Sequence, residues 1–372
     1  MQLEFDRAEL FKAFKVVSSL VPRASRKGNP ALQCVRIRSL DSKVFIYGTD
    51  GETGVCHALP MARVHSDVDF LVPAKLMATV LKEMSNSFVR LEVKAGDVRV
   101  WDDVNEFVFA LQDMLKFPEI KSFEERAYYR FSANDLKTAI RRTVYATDSE
   151  LSSRYALGGI LFDFSGKRVV MVATDARRLA MMSMATGKKG KPKIGKANPV
   201  VPAKAMRLVG SIIHKSDELV FVAIQENYAI FKIGDASIAS QLIDGRFPKY
   251  QDVIPKSFTA TIPLQADLFR SVIRRANIMT SSENRGAEFF ISQGALRVTS
   301  GSSTRGHSRI DVPVSYDGSD VVARFDPRFI ADFLKPLDSD TPVNFQVQSA
   351  DTAGMVTTDD GYACLIMPVS RD

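Results

Sequence analysis

The stretch Val72-Pro-Ala-Lys-Leu-Met-Ala-Thr-Val-Leu-Lys-Glu-Met decides the fold, because the chain repeats it twice more. It returns as Val201-Pro-Ala-Lys-Ala-Met-Arg-Leu-Val-Gly-Ser-Ile-Ile and as Asp326-Pro-Arg-Phe-Ile-Ala-Asp-Phe-Leu-Lys-Pro-Leu. Each copy predicts an amphipathic helix with proline at its first position, where a missing N–H costs nothing. The three prolines are spaced by roughly 125 residues, which indicates a threefold internal repeat.

An earlier amphipathic helix recurs with the same period. Its apolar stripe is carried by Leu10, Phe11, Phe14, Val17 and Leu20, then by Leu136, Ile140 and Val144, then by Leu268, Phe269, Val272 and Ile273. Asp6 stands three residues before Glu9, and Ser132 three before Asp135, the spacing of a helix-start signature. Each third is therefore expected to contain two helices.

A strand that runs into a polar turn is the third repeated feature. It reads Val44-Phe-Ile-Tyr-Gly-Thr-Asp, Val169-Val-Met-Val-Ala-Thr-Asp and Leu296-Arg-Val-Thr-Ser-Gly. Short alternating strands fill the rest of each third. The prediction is an α+β chain of three tandem sheet-rich modules at 1–127, 128–256 and 257–372, linked near Phe117-Pro and Phe247-Pro. Three unrelated α+β domains remain the alternative.

Bulk composition is that of a globular protein. Of 372 residues, 45% are hydrophobic and 25% charged, and the net charge is +7. The middle third carries 21 basic against 11 acidic residues, which is compatible with a polyanionic partner. No signal-peptide pattern or apolar membrane-spanning stretch is seen, so a cytoplasmic location without membrane contact is expected. Three scattered cysteines predict free thiols rather than a disulfide framework.

Catalytic and cofactor motifs are largely missing. The four histidines are scattered and lack metal-ligand spacing. We therefore expect a protein that binds no metal or cofactor and catalyses no reaction. The stretch Gly190-Lys-Pro-Lys-Ile-Gly-Lys-Ala resembles a phosphate-binding loop but lacks the Ser or Thr that would reach magnesium, and Pro199 follows closely. It is interpreted as a basic loop over 187–196 of unassigned role, and a phosphate-handling enzyme is the remote alternative.

Basic residues recur on the faces opposite the apolar stripes. The earlier helices carry Lys12 and Lys15, Lys137 and Arg141, and Arg270 and Arg274, and the proline-opened helices carry Lys75, Lys82, Lys204, Arg207, Arg328 and Lys335. Spacings of three or four residues place each of the first pairs on one face. Such faces could neutralise DNA phosphates without reading sequence; a merely solvated charged face is the alternative.

Four segments resemble one known family, the bacterial sliding clamps, which are the beta subunits of DNA polymerase III. They are Arg154-Tyr-Ala-Leu-Gly-Gly-Ile-Leu, Val172-Ala-Thr-Asp-Ala-Arg-Arg-Leu-Ala, Leu242-Ile-Asp-Gly-Arg-Phe-Pro-Lys-Tyr-Gln-Asp-Val-Ile-Pro and Leu365-Ile-Met-Pro. The resemblance spans the chain and implies a head-to-tail homodimer that closes a ring around duplex DNA. It implies a polymerase processivity factor, with a clamp-derived peptide-binding scaffold that encircles no DNA as the alternative.

The resemblance also implies site residues. For a pocket that binds peptides of polymerase, clamp loader and other partners they are Leu157, Thr174, Ala176, Arg177, Arg178, Leu179, Pro248, Val253, Phe329, Leu365, Ile366, Met367 and Pro368. For DNA binding, the matching positions are Arg26 or Lys27, Arg154 and Lys204. They are expected to act together with the basic helix faces described above. For the dimer they are Ile278 and Met279 against Phe117 and Ile120, whose alternative use is packing within a module.

The chain departs from the family pattern at two places near this pocket. Ala176-Arg177 stands where the family usually has Gly-His, and the C-terminal arginine falls one place late, at Arg371 before Asp372. The preference for particular peptides is therefore left open.

Overall fold

The computed structural model describes residues 2–22, 29–40, 43–59, 63–64, 67–94, 96–124, 126–148, 156–190, 198–215, 218–281 and 283–369, with only the backbone at 63–64. The chain forms two compact units. Unit 1 comprises Met1–Asn134, Thr186–Ala197 and Arg207–Leu242, and unit 2 comprises Asp135–Ala185, Asn198–Met206 and Ile243–Asp372.

The described part of the chain contains the six expected helices. They are α1 (Arg7–Ser18), α2 (Ala74–Glu83), α3 (Ala133–Thr143), α4 (Ala203–Ile212), α5 (Ala266–Ile278) and α6 (Pro327–Leu334). The carboxylate of Asp6 caps α1 by accepting a hydrogen bond of 2.9 Å from the N–H of Glu9, as predicted. Of these six helices, only α6 begins with proline. Pro73 instead precedes α2 as an extended N-cap residue, and Pro202 ends the strand before α4.

Unit 1 contains two antiparallel sheets. Strands are numbered along the whole chain, and those of unit 1 are β1 (Gln2–Asp6), β2 (Cys34–Leu40), β3 (Lys43–Thr49), β4 (Thr53–Leu59), β5 (Arg63–Val64), β6 (Asp69–Pro73), β7 (Phe88–Lys94), β8 (Asp97–Trp101), β9 (Glu106–Ala110), β10 (Tyr128–Ser132), β14 (Gly187–Lys189), β16 (Leu219–Ile224), β17 (Tyr228–Ile233) and β18 (Ala236–Gln241). One sheet has the order β5-β1-β7-β8-β9 and the other β14-β10-β16-β17-β18-β4-β3-β2-β6.

Unit 2 contains two further antiparallel sheets. Its strands are β11 (Gly159–Asp163), β12 (Val169–Thr174), β13 (Arg178–Met184), β15 (Val200–Pro202), β19 (Ala260–Gln265), β20 (Ala287–Ser292), β21 (Ala295–Ser302), β22 (Gly306–Pro313), β23 (Val321–Phe325), β24 (Pro342–Val347), β25 (Gly354–Thr357) and β26 (Tyr362–Ile366). The orders are β15-β11-β12-β13-β26-β25-β24-β19 and β22-β21-β20-β23.

The large sheets of the two units have the same plan, which supports the internal repeat. The order β10-β16-β17-β18-β4-β3-β2-β6 in unit 1 corresponds strand for strand to β19-β24-β25-β26-β13-β12-β11-β15 in unit 2. The registers at the central pairings also correspond, with Ala239 opposite Gly54 in one sheet and Leu365 opposite Leu179 in the other. Strands of the middle third contribute to both sheets, which is why the chain divides into two units rather than three.

The polar turn has the same hydrogen bonds in the first two copies. The hydroxyl of Thr49 donates to the carbonyl of Thr53 at 2.8 Å, and that of Thr174 donates to the carbonyl of Arg178 at 2.6 Å. Asp50 and Asp175 then accept from the backbone N–H groups of the two residues that close their turns. This is the repeat at the level of single atoms.

The third copy differs at this turn. Ser300 lies inside β21, which continues pairing with β22 as far as Ser302 opposite Gly306. Its hydroxyl donates to the carbonyl of Ala276 at 2.6 Å, fastening β21 to α5. The prediction of a turn directly after Ser300 is therefore wrong, because strand pairing extends the hairpin.

The predicted apolar stripes face the cores. Leu10, Phe14 and Val17 of α1 are fully buried, as are Phe269 and Ile273 of α5. Leu268 is an exception, since 43% of it is exposed.

The three cysteines are free thiols, as expected, with Cys34 and Cys364 buried and Cys56 half-buried. In the described residues no helix is long and apolar enough to cross a membrane.

Candidate functional site

A cavity of about 250 Å³ lies in unit 2, between the turn at Thr174, strands β13 and β26 and the segment after Phe247. We call it the unit 2 cavity. Nine residues assigned to the pocket by resemblance line it: Leu157, Thr174, Ala176, Arg178, Leu179, Pro248, Val253, Leu365 and Met367. Its surface is mostly apolar, which suits capture of a partly hydrophobic ligand.

The floor of this cavity is set by strand pairing. Leu179 of β13 lies directly opposite Leu365 of β26, and both side chains are at most 5% exposed. At the rim, Val253 and Met367 are 52% and 46% exposed. The cavity therefore combines a rigid apolar floor with an accessible apolar rim.

The turn at the edge of the cavity holds one residue in an unusual conformation. Ala176 has a φ of 68°, the only positive value at a non-glycine position in the described chain. Its N–H donates to the hydroxyl of Thr174 at 3.1 Å. The left-handed conformation costs an alanine about 1–2 kcal/mol because Cβ crowds the following carbonyl, so the hydrogen bonds of this turn retain a strained residue at the rim.

The side chain of Arg178 joins several segments beside the cavity through ion pairs and a hydrogen bond. Its guanidinium pairs with Asp175 at 3.0 Å and with Asp332 of α6 at 2.5 Å, and it donates to the carbonyl of Tyr145 at 2.9 Å. Burial would lower the pKa of Arg178, but these carboxylates raise it. The same guanidinium lies over the ring of Phe329, 4.7 Å from the ring centre, and Phe329 is not among the residues that line the cavity.

Two lining residues, Lys249 and Tyr250, escaped the sequence analysis. The signal that could have found Tyr250 is its position in the Phe247-Pro-Lys-Tyr segment, where an aromatic residue follows a predicted link. Its hydroxyl donates to Asp163 at 2.6 Å, and burial together with this carboxylate raises the pKa of Tyr250.

Asp163 is a buried carboxylate, only 4% exposed. It also accepts hydrogen bonds from Ser165, Asn198 and Gln251. Burial would raise the pKa of Asp163, but these hydrogen bonds outweigh burial and hold the pKa below its usual value. The network fixes the segment that carries Tyr250 against the end of β11.

The other assigned pocket residues lie beside the cavity. Arg177 is exposed, and its carbonyl accepts from the N–H of Met367 at 2.9 Å. Ile366 is buried and Pro368 half-buried. Arg371 and Asp372 lie outside the described residues.

The basic positions divide into two groups. Lys137, Arg141, Lys204, Arg207 and Arg274 are exposed on their helices. Arg270 differs, because its guanidinium donates to the carbonyls of Leu334 and Leu337 at the end of α6. Arg26, Lys27, Arg154 and residues 191–197 of the basic loop lie outside the described residues.

The residues assigned to the dimer contact also divide. Phe117 is 8% exposed and packs with Ala31, Cys34 and Leu71 in unit 1, where Ile120 joins the same cluster. For Phe117 this is packing within the first module, whereas Ile120 also packs against Ala223, Ile230 and Ala239 of the second module. Ile278 is 61% exposed and Met279 half-buried at the end of α5.

Family models of one protein match consecutive parts of the chain. The N-terminal, central and C-terminal domains of the DNA polymerase III beta subunit match residues 1–121, 130–249 and 251–370. They occur in that order and together account for nearly the whole chain.

Individual relatives are distant but match over full length. The Beta sliding clamp of Escherichia coli strain K12 is 23% identical over 374 residues, covering 99% of this chain and 100% of the relative. The DNA polymerase sliding clamp of Bacillus subtilis has a similar fold, with a TM-score of 0.91, 21% identity and 100% of both chains covered. A DnaN sliding clamp of Pseudomonas aeruginosa bound to griselimycin gives a TM-score of 0.90 at 22% identity, again covering 100% of both chains. Because the three domain models match in order and span nearly all of it, the chain belongs to the family of the DNA polymerase III beta subunit, the bacterial beta sliding clamps.

Proposed function

We propose that the chain is a processivity clamp that holds a DNA polymerase on duplex DNA. Two copies close head to tail into a ring, which slides because its cations contact phosphates without reading bases. The proposal rests on one observation: the chain matches the models of all three domains of one clamp subunit. Retention comes from topology, so no catalytic step and no cofactor is required, and the site of action is the cytoplasm, where bacterial DNA is replicated.

The three modules of the proposed ring are residues 1–127, 128–256 and 257–372. The six helices, two in each third, and the repeated sheet order support three copies of one unit, and the turn at Thr49 and Thr174 repeats in the first two. Exposed cations on the helices of these copies, among them Lys137, Arg141 and Arg274, supply the positive surface that duplex DNA requires.

Open sheet edges support the head-to-tail dimer. The five-stranded sheet ends at β9, which carries Val108 with 58% of its surface exposed. The four-stranded sheet ends at β22 on one side. On its other side, the carbonyl of Arg324 in β23 is occupied by the N–H of Val369 at 2.8 Å. Pairing β9 of one copy with β22 of the next would give nine strands, the number in the large sheet of unit 1, and would cover two exposed edges.

The unit 2 cavity is the proposed docking site for peptide segments of polymerase, clamp loader and other partners. Its apolar floor at Leu179 and Leu365 and its apolar rim at Val253 and Met367 support this role. A short linear segment can bury its apolar side chains in such a cavity while its backbone stays at the rim.

The decisive experiment compares closed and cut DNA. After loading onto a closed circular duplex by a clamp loader, the protein should remain bound through gel filtration, and a restriction cut should release it. Equal retention on the closed circle and on the cut molecule would overturn the ring, since topology would then not be what holds it. Peptide binding without DNA retention would favour the scaffold that encircles no DNA.

A further inference from the structure

A second, larger cavity of about 560 Å³ lies entirely within unit 1. It is bounded by strands β2, β3 and β4, by the β17–β18 hairpin and by the segment 117–123, and we call it the linker groove. Aromatic and small side chains form its floor, including Phe45, Tyr47, Cys56, Ala58 and Phe123. The function proposed above does not use this groove.

The linker groove is not the repeat counterpart of the unit 2 cavity. Gly54 and Leu179 are the second residues of the corresponding strands β4 and β13. The side chain of Ile120 lies over Gly54, so closely that an added Cβ there would come within 2.7 Å of it. The position that corresponds to the unit 2 cavity is therefore filled by Ile120. The linker groove lies further along the strands and is lined by different side chains.

The side chains that form the floor of the groove are half-buried. Tyr47 and Cys56 face each other across β3 and β4. Burial raises the pKa of the Cys56 thiol to about 11. The pKa of Tyr47 is also raised, mainly by burial and to a smaller extent by the neighbouring Cys56. Apolar side chains of a ligand would gain from displacing water here, and the polar rim would set their orientation.

Positive charge surrounds this floor. Among the described lining residues the cations are Arg36, Arg38, Lys43, Lys121 and Lys232, and the acids are Glu119 and Asp235. Arg36 and Arg38 share Asp69, at 2.6 Å and 3.8 Å. Lys43 of β3 and Lys121 of the segment 117–123 are both exposed. A ligand that complements this surface needs negative charge outside and an aromatic or apolar group inside.

We propose that the linker groove binds an acidic peptide segment of a protein partner, with an aromatic side chain in the floor and carboxylates against Lys43 and Lys121. Lys232 lies 5.7 Å from the ring centre of Phe123, so the floor already pairs an aromatic ring with a cation. A nucleic acid fits less well, because phosphates need cations along an open track, whereas these cations ring a recess of limited volume.

The test uses a fluorescein-labelled acidic peptide of sequence EDFDFED, a neutral peptide QNFNFQN and single-stranded oligothymidylate, each titrated with the full-length protein. Fluorescence anisotropy should show binding of the acidic peptide and much weaker binding of the neutral one. The double variant Lys43→Glu/Lys121→Glu should weaken acidic-peptide binding by about tenfold or more, since two complementary charges become repulsive.

The matched control is Lys94→Glu/Lys167→Glu, which changes the net charge equally at exposed positions outside both cavities. It should bind the acidic peptide like the unmodified protein. A second variant, Ala58→Trp, fills the floor and should also abolish binding, with circular dichroism checking that each variant is folded.

Equal loss in the control pair would overturn the proposal, because binding would then follow net charge alone. Tighter binding of oligothymidylate with the same sensitivity to Lys43→Glu/Lys121→Glu would overturn it in favour of a nucleic-acid groove. Retention on closed circular DNA is a separate readout, so failure here is distinguishable from failure of the clamp function.

Discussion

The hydroxyl of Tyr250 donates a hydrogen bond of 2.6 Å to Oδ2 of Asp163. Asp163 ends β11 and is buried, whereas Tyr250 lies in the segment linking the second and third modules and forms a wall of the unit 2 cavity. The shape of the proposed peptide site therefore depends on a carboxylate that does not line it.

The first prediction concerns acid stability. Because the folded-state pKa of Asp163 is depressed, its contribution is present above the unfolded pKa of about 3.9 and is lost as pH falls through the lower folded value. Charge-assisted hydrogen bonds of this kind contribute about 1.5–3 kcal/mol. Asp163→Asn should lower the free energy of unfolding near neutral pH and remove this part of its pH dependence. Denaturant titrations at a series of pH values measure it, with the exposed Asp351→Asn as control. An unchanged acid profile in Asp163→Asn would contradict the prediction.

The second prediction concerns the strained turn. Ala176→Gly should raise the free energy of unfolding by about 1 kcal/mol, since glycine adopts positive φ without the Cβ clash. Gly51→Ala is the matched change in the first copy, where φ is 97° and an added Cβ would meet nothing within 4 Å. It should destabilise by a similar amount. If Gly51→Ala destabilised and Ala176→Gly had no effect, the strain at Ala176 would be absent.

The third prediction concerns the rim of the unit 2 cavity. Val253→Asp and Met367→Asp should each weaken binding of a fluorescent peptide from the replicative polymerase by about tenfold or more, because an apolar contact is replaced by a hydrated carboxylate. Both side chains are about half exposed, so thermal stability should change little. Leu268→Asp is the control, since Leu268 is 43% exposed and lies outside the cavity. Equal weakening in the control would argue against this cavity as the peptide site.

The fourth prediction concerns DNA affinity. Reversing charge at Lys137, Arg141 and Lys204 should weaken binding to duplex DNA and reduce the slope of log affinity against log salt by about 0.9 for each lost phosphate contact. Peptide binding should be preserved. The triple change Lys94→Glu, Lys167→Glu and Lys256→Glu alters net charge equally at exposed positions on strands and loops. An equal change of slope in both variants would show that these helix faces have no special role.

The fifth prediction concerns assembly. Val108→Asp places a charge on the exposed edge strand β9 and should shift the solution mass from twice the 41.2 kDa chain mass toward a single chain. Sedimentation equilibrium provides the measurement. Val104→Asp, at a position 76% exposed just before β9, should leave the mass unchanged. A dimer that survives Val108→Asp would exclude this edge as the contact.

Much of the fold was predictable from local pattern. The stripes of α1 and α5 follow from apolar residues at helical spacing, and the cap at Asp6 follows from its distance to Glu9. Thr49 and Thr174 were recognisable as equivalent because each ends an apolar strand pattern and is followed by Asp. Ser300 was misassigned, since pairing with β22 extends its strand and only the partner strand shows where β21 ends.

The site was predictable only in part. Nine residues named by resemblance line the cavity, where Tyr250 and Lys249 lie as well, whereas Phe329 lies against Arg178 instead. Among the basic residues, Arg270 matched the helix-face pattern but its guanidinium caps the end of α6. Spacing along a helix tells which residues share a face, but not which neighbour that face meets.

The sequence by itself determined that three α+β copies follow one another, where their helices run, and which family the chain resembles, because these depend on order and spacing along the chain. Tertiary structure alone decided which residues form the unit 2 cavity and the linker groove. Leu157, Leu179, Tyr250 and Leu365 meet only because β13 pairs with β26 and Asp163 holds the intervening segment. Such contacts join residues far apart in the chain, and no local periodicity encodes them.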